Sequence, residues 1–382
     1  MKKLKVLLCL TQVANCGVGY YRQWLPLRKL EEKGLIELRE WGFNWGEKES
    51  KDPFTCEIDN RDTSKPELKK MEVDDNFLKA FGWADVVYAC RDERIQYIAF
   101  LGGLREKFQK EQKKKKPVIV DIDDYVQFTR PHNPGYLSFH PNSSYNLFNL
   151  KLLNIVDGMT VSTDYLRKVY KKENRFRYVC PNSLDIKWRD SFRNIPPTIK
   201  KKKDEVRIIW AGSAAHYENL KQLMTPLHNI MEKYENVTFH YTGLFGDLFN
   251  WPEFKDRIKT VKFSDLKHWP QKLKSMGGDI AVAPLVDNNF NRAKSNLRVL
   301  EYWAADYPVI ASPILPYKFI NNGKDGILAM EEHEWYEALE SLILDKNKRE
   351  VLIKNGRTRL LKEYDVDKNC MLWLKALNKF IK

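Results

Sequence analysis

The chain has 382 residues, 43% of them hydrophobic and 30% charged, with a formal net charge of +14. At about 100–200 residues per domain, this length points to two domains with ordinary cores. No apolar run reaches the roughly 18 residues of a membrane span. The excess of lysine and arginine favours nucleic acid, an anionic membrane or phosphate-bearing substrates as partners, with a solvated lysine-rich surface as the plainer reading.

The opening residues, Met1-Lys-Lys-Leu-Lys-Val-Leu-Leu-Cys-Leu, have a basic head, but the apolar run is too short for a secretory signal and reads as a first strand. Short apolar runs recur at 5–10, 84–90, 117–122, 158–162, 206–210, 237–241, 279–285 and 308–311, with helical patterns between many of them. Alternating strands and helices predict an α/β architecture, and nearly continuous apolar strands suit parallel sheets covered on both faces. Residues 188–205 hold Pro196-Pro197 and the run Lys200 to Lys203 without periodicity, so they are expected to form an extended, solvated linker. The resulting division is a first domain over 1–190 and a second over 205–365. Met371, Leu374, Leu377 and Phe380 have helical spacing, which predicts a packed final helix over 366–382 that completes the first domain. The six cysteines are scattered without zinc or disulfide spacing, as in a reducing, cytoplasmic compartment.

Four segments carry candidate chemistry. In Asn15-Cys-Gly-Val-Gly-Tyr-Tyr-Arg22, Gly17 and Gly19 would let the backbone approach a ligand at the start of a helix, although the glycine pattern is incomplete as a dinucleotide fingerprint. In Val118-Ile-Val-Asp-Ile-Asp-Asp-Tyr125, the carboxylates Asp121, Asp123 and Asp124 gather at a strand end, the edge that lines ligand crevices in open α/β sheets. One of them is the candidate general base for an acceptor hydroxyl; loop capping or cation binding are the alternatives. His132, in the rigid Pro131-His-Asn-Pro134 loop, is a further polar candidate. In Ile209-Trp-Ala-Gly-Ser-Ala-Ala-His216, a strand gives way to a helix, and Gly212, Ser213 and His216 would meet a phosphate there. In Asp287 to Tyr302, Lys294, Arg298 and Glu301 have the spacing of one helix face. Lys294 and Ser295 would then lie at the phosphate-binding N-terminus, with Glu301 roughly 10 Å deeper, the reach from a diphosphate to a ribose.

The stretch Lys294-Ser-Asn-Leu-Arg-Val-Leu-Glu-Tyr-Trp-Ala-Ala-Asp-Tyr-Pro-Val-Ile-Ala-Ser312, followed by Asn322-Gly-Lys-Asp-Gly-Ile-Leu328, resembles the donor-binding half of GT-B-fold glycosyltransferases. Gly17-Val-Gly-Tyr-Tyr-Arg22, the aspartate cluster and Asn133-Pro134 resemble a subset common in bacteriophages and some bacteria. The resemblance implies two Rossmann-like domains facing a central cleft, with the acceptor on the first and a nucleotide diphosphate sugar, UDP-linked by preference, on the second. It implies ribose binding by Glu301 and diphosphate binding by Arg292, Lys294, Ser295, Gly212 and Ser213, with Gly17 and Gly19 reaching the donor. It also implies chemistry without a metal or other cofactor. Many relatives carry a second glutamate where this chain has Ala293, so neither a retaining nor an inverting outcome follows.

Two acceptors fit this frame. The basic charge, the lysine runs and the aromatics Tyr20, Tyr21, Tyr125 and Phe128 suggest a hydroxymethylated pyrimidine such as 5-hydroxymethylcytosine in phage-type double-stranded DNA, in the host cytoplasm. Tyr20, Tyr21, Arg22, Tyr125 and His132 would then contact the acceptor. The alternative is a bacterial cell-surface polysaccharide or lipid-linked glycan, with the basic face on anionic lipid.

Overall fold

The computed structural model describes residues 3–10, 17–42, 46–47, 75–90, 95–112, 116–133, 135–243, 248–262 and 264–381. Asn15, Cys16, Pro134 and three lysines of the 113–116 run lie outside the described residues. The chain divides into two compact units: Met1–Asp124, Asn142–Asn182 and Val366–Lys382 form the first, and Tyr125–Pro141 with Ser183–Asp365 form the second.

The first unit is built on β1 (Leu4–Leu10), β2 (Ile36–Gly42), β3 (Gly46–Glu47), β4 (Val86–Cys90), β5 (Val118–Ile122), β6 (Gly158–Val161) and β7 (Arg177–Val179). Among the described residues these form one sheet in the order β3-β2-β1-β4-β5-β6-β7. Only the short β3 runs antiparallel to its neighbour. Val6, Leu8, Val86, Tyr88 and Ile119 are buried in its core. The last helix, Val366–Ile381, packs on the helix Leu25–Glu32 and buries Cys370, Trp373, Leu377 and Phe380. The approach is close: a Cβ on Gly158 would lie 2.0 Å from the Phe380 ring. The expected final helix is present and buries Leu377 and Phe380 as expected, but in its first half the buried stripe lies one position earlier, at Cys370 and Trp373. Met371 is 45% exposed, and Trp373 takes the inward place because its indole N–H finds acceptors inside.

The second unit is built on β8 (Val206–Trp210), β9 (Val237–Thr242), β10 (Ile258–Val261), β11 (Ile280–Ala283), β12 (Val309–Ala311) and β13 (Ile327–Leu328). The order is β10-β9-β8-β11-β12-β13 and every pairing is parallel. Strand order reverses between β8 and β11, and in such sheets ligands bind beyond the carboxyl ends of the strands at that reversal. The residues there are Ala211-Gly212-Ser213 after β8 and the segment after β11 that runs to the helix Leu297–Ala304.

All eight expected strands are present. Those outside the eight runs, β2, β3, β7, β10 and β13, are edge or next-to-edge strands. β2 and β10 interleave charged residues, as in Ile36-Glu-Leu-Arg-Glu and Ile258-Lys-Thr-Val. The 188–205 segment is not a free linker: it lies along the second unit. Its first residues finish the helix Ile186–Asp190, Arg193 pairs with Asp306 at 2.8 Å, and the Thr198 N–H donates to the Ser275 carbonyl at 2.8 Å. Of its charged side chains, Arg193 and Lys201 pair with Asp306 and Asp279, while Lys200, Lys202 and Lys203 stay exposed.

Candidate active site

The site-bearing edge of the second unit starts at β8. The Ala211 N–H donates to the Tyr302 hydroxyl at 2.9 Å and the Gly212 N–H to Thr242 Oγ1 at 3.0 Å, which anchors the turn after the strand. Gly212 has no room for a side chain, because a Cβ would lie 2.5 Å from the Arg298 guanidinium and 2.7 Å from the Trp210 ring. Ser213 is exposed and His216 is buried. Burial first, then the positive charges of Arg298 and Lys294, hold the His216 imidazole well below its ordinary pKa, so it is neutral at physiological pH.

Lys294 does not share a helix with Arg298 and Glu301. One short helix, Asn289–Ala293, ends before it, and Leu297–Ala304 begins after it with Asn296 as the flanking residue. Lys294 has extended backbone (φ −57°, ψ 153°), so the i, i+4, i+7 face and its axial spacing do not exist. The anion-attracting arrangement survives by another route. The Lys294 ammonium sits 4.4 Å from the Phe290 ring centroid, and the Arg298 guanidinium 4.9 Å from the Trp210 ring centroid. One Arg298 terminal nitrogen, Nη1, is buried without a hydrogen-bond partner among the described residues. Sequence reasoning placed Arg298 in the pattern but gave it no role. Arg298 is the second residue of that helix and faces Gly212, a contact that no local pattern signals.

Glu301, on the same helix, is held by two donors on one oxygen: Arg189 at 2.8 Å and the Trp269 indole N–H at 3.1 Å. Its carboxylate is thereby oriented before any ligand arrives. Arg292 pairs with Asp287 at 2.6 and 2.9 Å. Both are exposed, and such a pair is worth about 0–1 kcal/mol, too little to hold Arg292 from a phosphate. The Ser295 hydroxyl accepts a long 3.4 Å contact from the Leu297 N–H. Ala293 is fully buried.

In the first unit the structure corrects several assignments. Asp121 is 1% exposed, and its carboxylate receives Arg22 through both oxygens at 2.7 and 3.0 Å, Tyr88 at 3.1 Å and Thr160 at 2.6 Å. A carboxylate enclosed by four hydrogen bonds is a structural anion, not a proton acceptor for an incoming hydroxyl. Arg22 is its partner, and Tyr20 and Tyr21 are each 3% exposed, so none of the three presents a surface to an acceptor. The apolar character that made these tyrosines look like a stacking platform instead takes them into the core, along a π-helical turn, Gly19–Trp24.

Asp123 and Asp124 follow β5 and are half-buried. The Asp124 side chain makes no hydrogen bond or ion pair with a described residue; only its carbonyl is used, by the Tyr170 hydroxyl at 3.4 Å. Gly17 is exposed and a Cβ there would meet nothing within 4 Å, whereas Gly19 is buried. Tyr125 and His132 belong to the second unit. Tyr125 packs on Phe128 with centroids 4.7 Å apart, and His132 lies 5.3 Å from the Tyr217 ring and 3.6 Å from the Glu218 carboxylate.

Acid will weaken this fold through its buried histidines. His240 on β9 is 2% exposed, and burial, then Arg207, lowers its pKa to about 4. Its folded value lies below the unfolded value, so the stability linked to it is complete above about pH 6.5 and is lost as pH falls towards 4. Thermal melts should show this loss, on the order of 3 kcal/mol for His240 by pH 4. His240→Gln should flatten the profile over that window; an unchanged profile would remove His240 from the account.

Among the described residues no group of three His, Cys, Asp or Glu side chains is arranged to hold a metal ion, and no described helix is long and apolar enough to cross a membrane.

Residues 222–375 match the glycosyl transferase-like family Glyco_trans_1_2. A search of curated proteins returned no match. Among solved structures, sucrose-phosphate synthase from Thermosynechococcus elongatus superposes with a TM-score of 0.64 at 14% identity, covering 99% of both chains. HepE from Anabaena, solved with UDP and glucose, gives 0.60 at 13% identity, over 98% of this chain and 100% of that one. TarM from S. aureus, solved with UDP among its ligands, gives 0.52 at 14% identity over 77% of this chain, which spans 55% of the TarM chain. The fold is that of GT-B glycosyltransferases: two α/β units with largely parallel sheets.

Proposed function

We propose that this protein is a glycosyltransferase that binds a nucleotide diphosphate sugar, UDP-linked by preference, on its second unit and passes the sugar to an acceptor hydroxyl. The observation that carries this reading is the cationic cluster at the strand reversal. Arg298 and Lys294 are close enough to depress the His216 pKa, Gly212 is bare beside Arg298, and Arg298 keeps a buried nitrogen without a partner. A diphosphate offers acceptor oxygens to such a cluster. Glu301, anchored by Arg189 and Trp269, is the carboxylate for the ribose hydroxyls. As the sugar leaves, charge grows on the diphosphate, and fixed cations and N–H groups stabilise it there.

The first unit is the proposed acceptor side, with Asp124 or Asp123 as the base; Asp124, whose carboxylate makes no hydrogen bond or ion pair among the described residues, is the first choice. The acceptor reading that goes with the +14 charge is a hydroxymethylated pyrimidine in DNA. Tyr20 and Tyr21, buried in the first unit, do not support it; Phe128, Arg130 and His132, which are exposed, belong to the second unit. The second reading is a surface glycan, which the burial of those two tyrosines favours. The buried free thiols Cys9, Cys180 and Cys370 accord with a cytoplasmic site of action.

The test is turnover of UDP- and GDP-sugars with DNA containing 5-hydroxymethylcytosine, unmodified DNA and glycan acceptors. Nucleoside diphosphate release only with modified DNA, weakening as salt rises, supports the DNA acceptor. Release with glycans alone moves the acceptor to the second reading. No release and no nucleotide binding under any condition overturns the enzyme class.

A further inference from the structure

Behind the cationic cluster lies a hydrogen-bond relay whose directions are set by the backbone. The Val286 N–H, which can only donate, reaches Asn219 Oδ1 at 2.9 Å. The Val286 carbonyl, which can only accept, receives Asn291 Nδ2 at 2.9 Å. Asn291 Nδ2 also donates to Asn219 Oδ1 at 2.7 Å. Two backbone groups therefore fix both amides, and the remaining Asn219 group, Nδ2, is the one turned to His216 Nδ1 at 2.9 Å. An amide nitrogen is a donor. His216 Nδ1 must accept, so the imidazole is neutral with its proton on Nε2. Asn219 and Asn291 are 2% and 3% exposed, so water does not compete for these bonds. Nε2 has no hydrogen-bond partner among the described residues.

We propose that Asn219 and Asn291 are positioning residues that lock His216 in the Nε2–H tautomer, making it an uncharged hydrogen-bond donor to the diphosphate of the nucleotide sugar. This rests on the donor-site reading above. The physical advantage is specific to this place. Arg298 and Lys294 already supply positive charge, and a third cation would repel them in the empty site. A neutral donor adds a directed bond without that repulsion. Asn288, whose side chain caps the short helix by accepting the Asn291 N–H at 2.9 Å, holds the start of the relay.

Two measurements test it on the full-length protein. Two-bond nitrogen–proton NMR correlations of the imidazole rings should show, at neutral pH, one ring with an unprotonated Nδ1 and a protonated Nε2 that disappears in His216→Gln. In Asn219→Asp the carboxylate faces Nδ1, and the same ring should become protonated there. A wild-type His216 protonated on Nδ1 overturns the relay. Calorimetry with UDP gives the second readout. His216→Gln, which keeps a side-chain N–H near the Nε2 position, should bind within about threefold of wild type, and His216→Ala should lose about tenfold or more. Equal UDP binding by wild type and His216→Ala overturns the role assigned to His216. A wild type that binds neither UDP nor GDP overturns the glycosyltransferase reading, and with it this ligand, while the NMR still decides the tautomer.

Discussion

Arg298→Met is expected to abolish useful donor binding while leaving the fold intact or slightly more stable. In the free protein Arg298 has a buried nitrogen without a hydrogen-bond partner among the described residues, and its guanidinium rests on the Trp210 ring. Burying a polar group without a hydrogen bond costs about 1–3 kcal/mol by protein mutational data. Methionine keeps much of the length and apolar contact without that cost. The ligand experiences the opposite effect. Each hydrogen bond to a charged group contributes about 1.5–3 kcal/mol, so losing a two-pronged phosphate contact should weaken UDP binding by about a hundredfold or more. Calorimetry with UDP, beside a thermal melt of the free protein, reads both sides. Affinity within threefold of wild type would remove Arg298 from the donor site. A large fall in melting temperature would make it a structural residue instead.

The second large effect is expected in the first unit, at the buried ion pair. Asp121→Ala or Arg22→Ala should each destabilise the protein by about 3–5 kcal/mol, because each leaves the opposite charge buried and unpaired. Arg22 also reaches Asn182 Oδ1 at 3.1 Å and the Cys180 carbonyl, and its own carbonyl accepts the Trp373 indole N–H at 3.1 Å. The same indole reaches the Tyr88 hydroxyl, also at 3.1 Å. Burial first, then the Asp121 charge, raise the Tyr88 pKa well above its ordinary value, so this hydroxyl remains a donor. The network thus ties the last helix to the first strands, and its loss should loosen residues 366–381 before the rest of the unit. Chemical denaturation of both single variants and of Arg22→Met with Asp121→Leu checks this. The double variant should lie closer to wild type than either single one, since two apolar groups of similar size leave no orphan charge. Additive losses would mean that the pair is not coupled.

The two predictions concern residues that read alike in one dimension. Arg22 lies beside glycines and tyrosines after a first strand, Asp121 lies in a carboxylate cluster at a strand end, and Arg298 lies among lysine, serine and glutamate. All three lie in candidate ligand segments, though only Arg22 and Asp121 read as contacts themselves. The burial of Arg22 and Asp121 depends on a helix more than 200 residues further along, whose Trp373 closes over them. No local pattern carries that information. The opposite holds for Gly212 and Arg298. The requirement for glycine follows from the arginine and tryptophan that crowd it, and the arginine becomes visible as a site residue only once the two are adjacent.

What the sequence determined by itself is the alternation of apolar strands and amphipathic helices, and with it the α/β class and the eight central strands; the segments after β8 and β11 stand out in it as candidate phosphate sites. Those properties are local, since hydrophobic period and strand-end glycines act over a few residues. The tertiary structure alone decided which polar side chains face a ligand and which pair with one another. It broke the expected helix face at Lys294, buried Tyr20, Tyr21, Arg22 and Asp121, left the Asp124 carboxylate unpaired among the described residues, and set the His216 tautomer through Asn219 and Asn291. Each of these outcomes depends on burial and on partners distant in sequence, because the state of a polar group is set by what replaces its water.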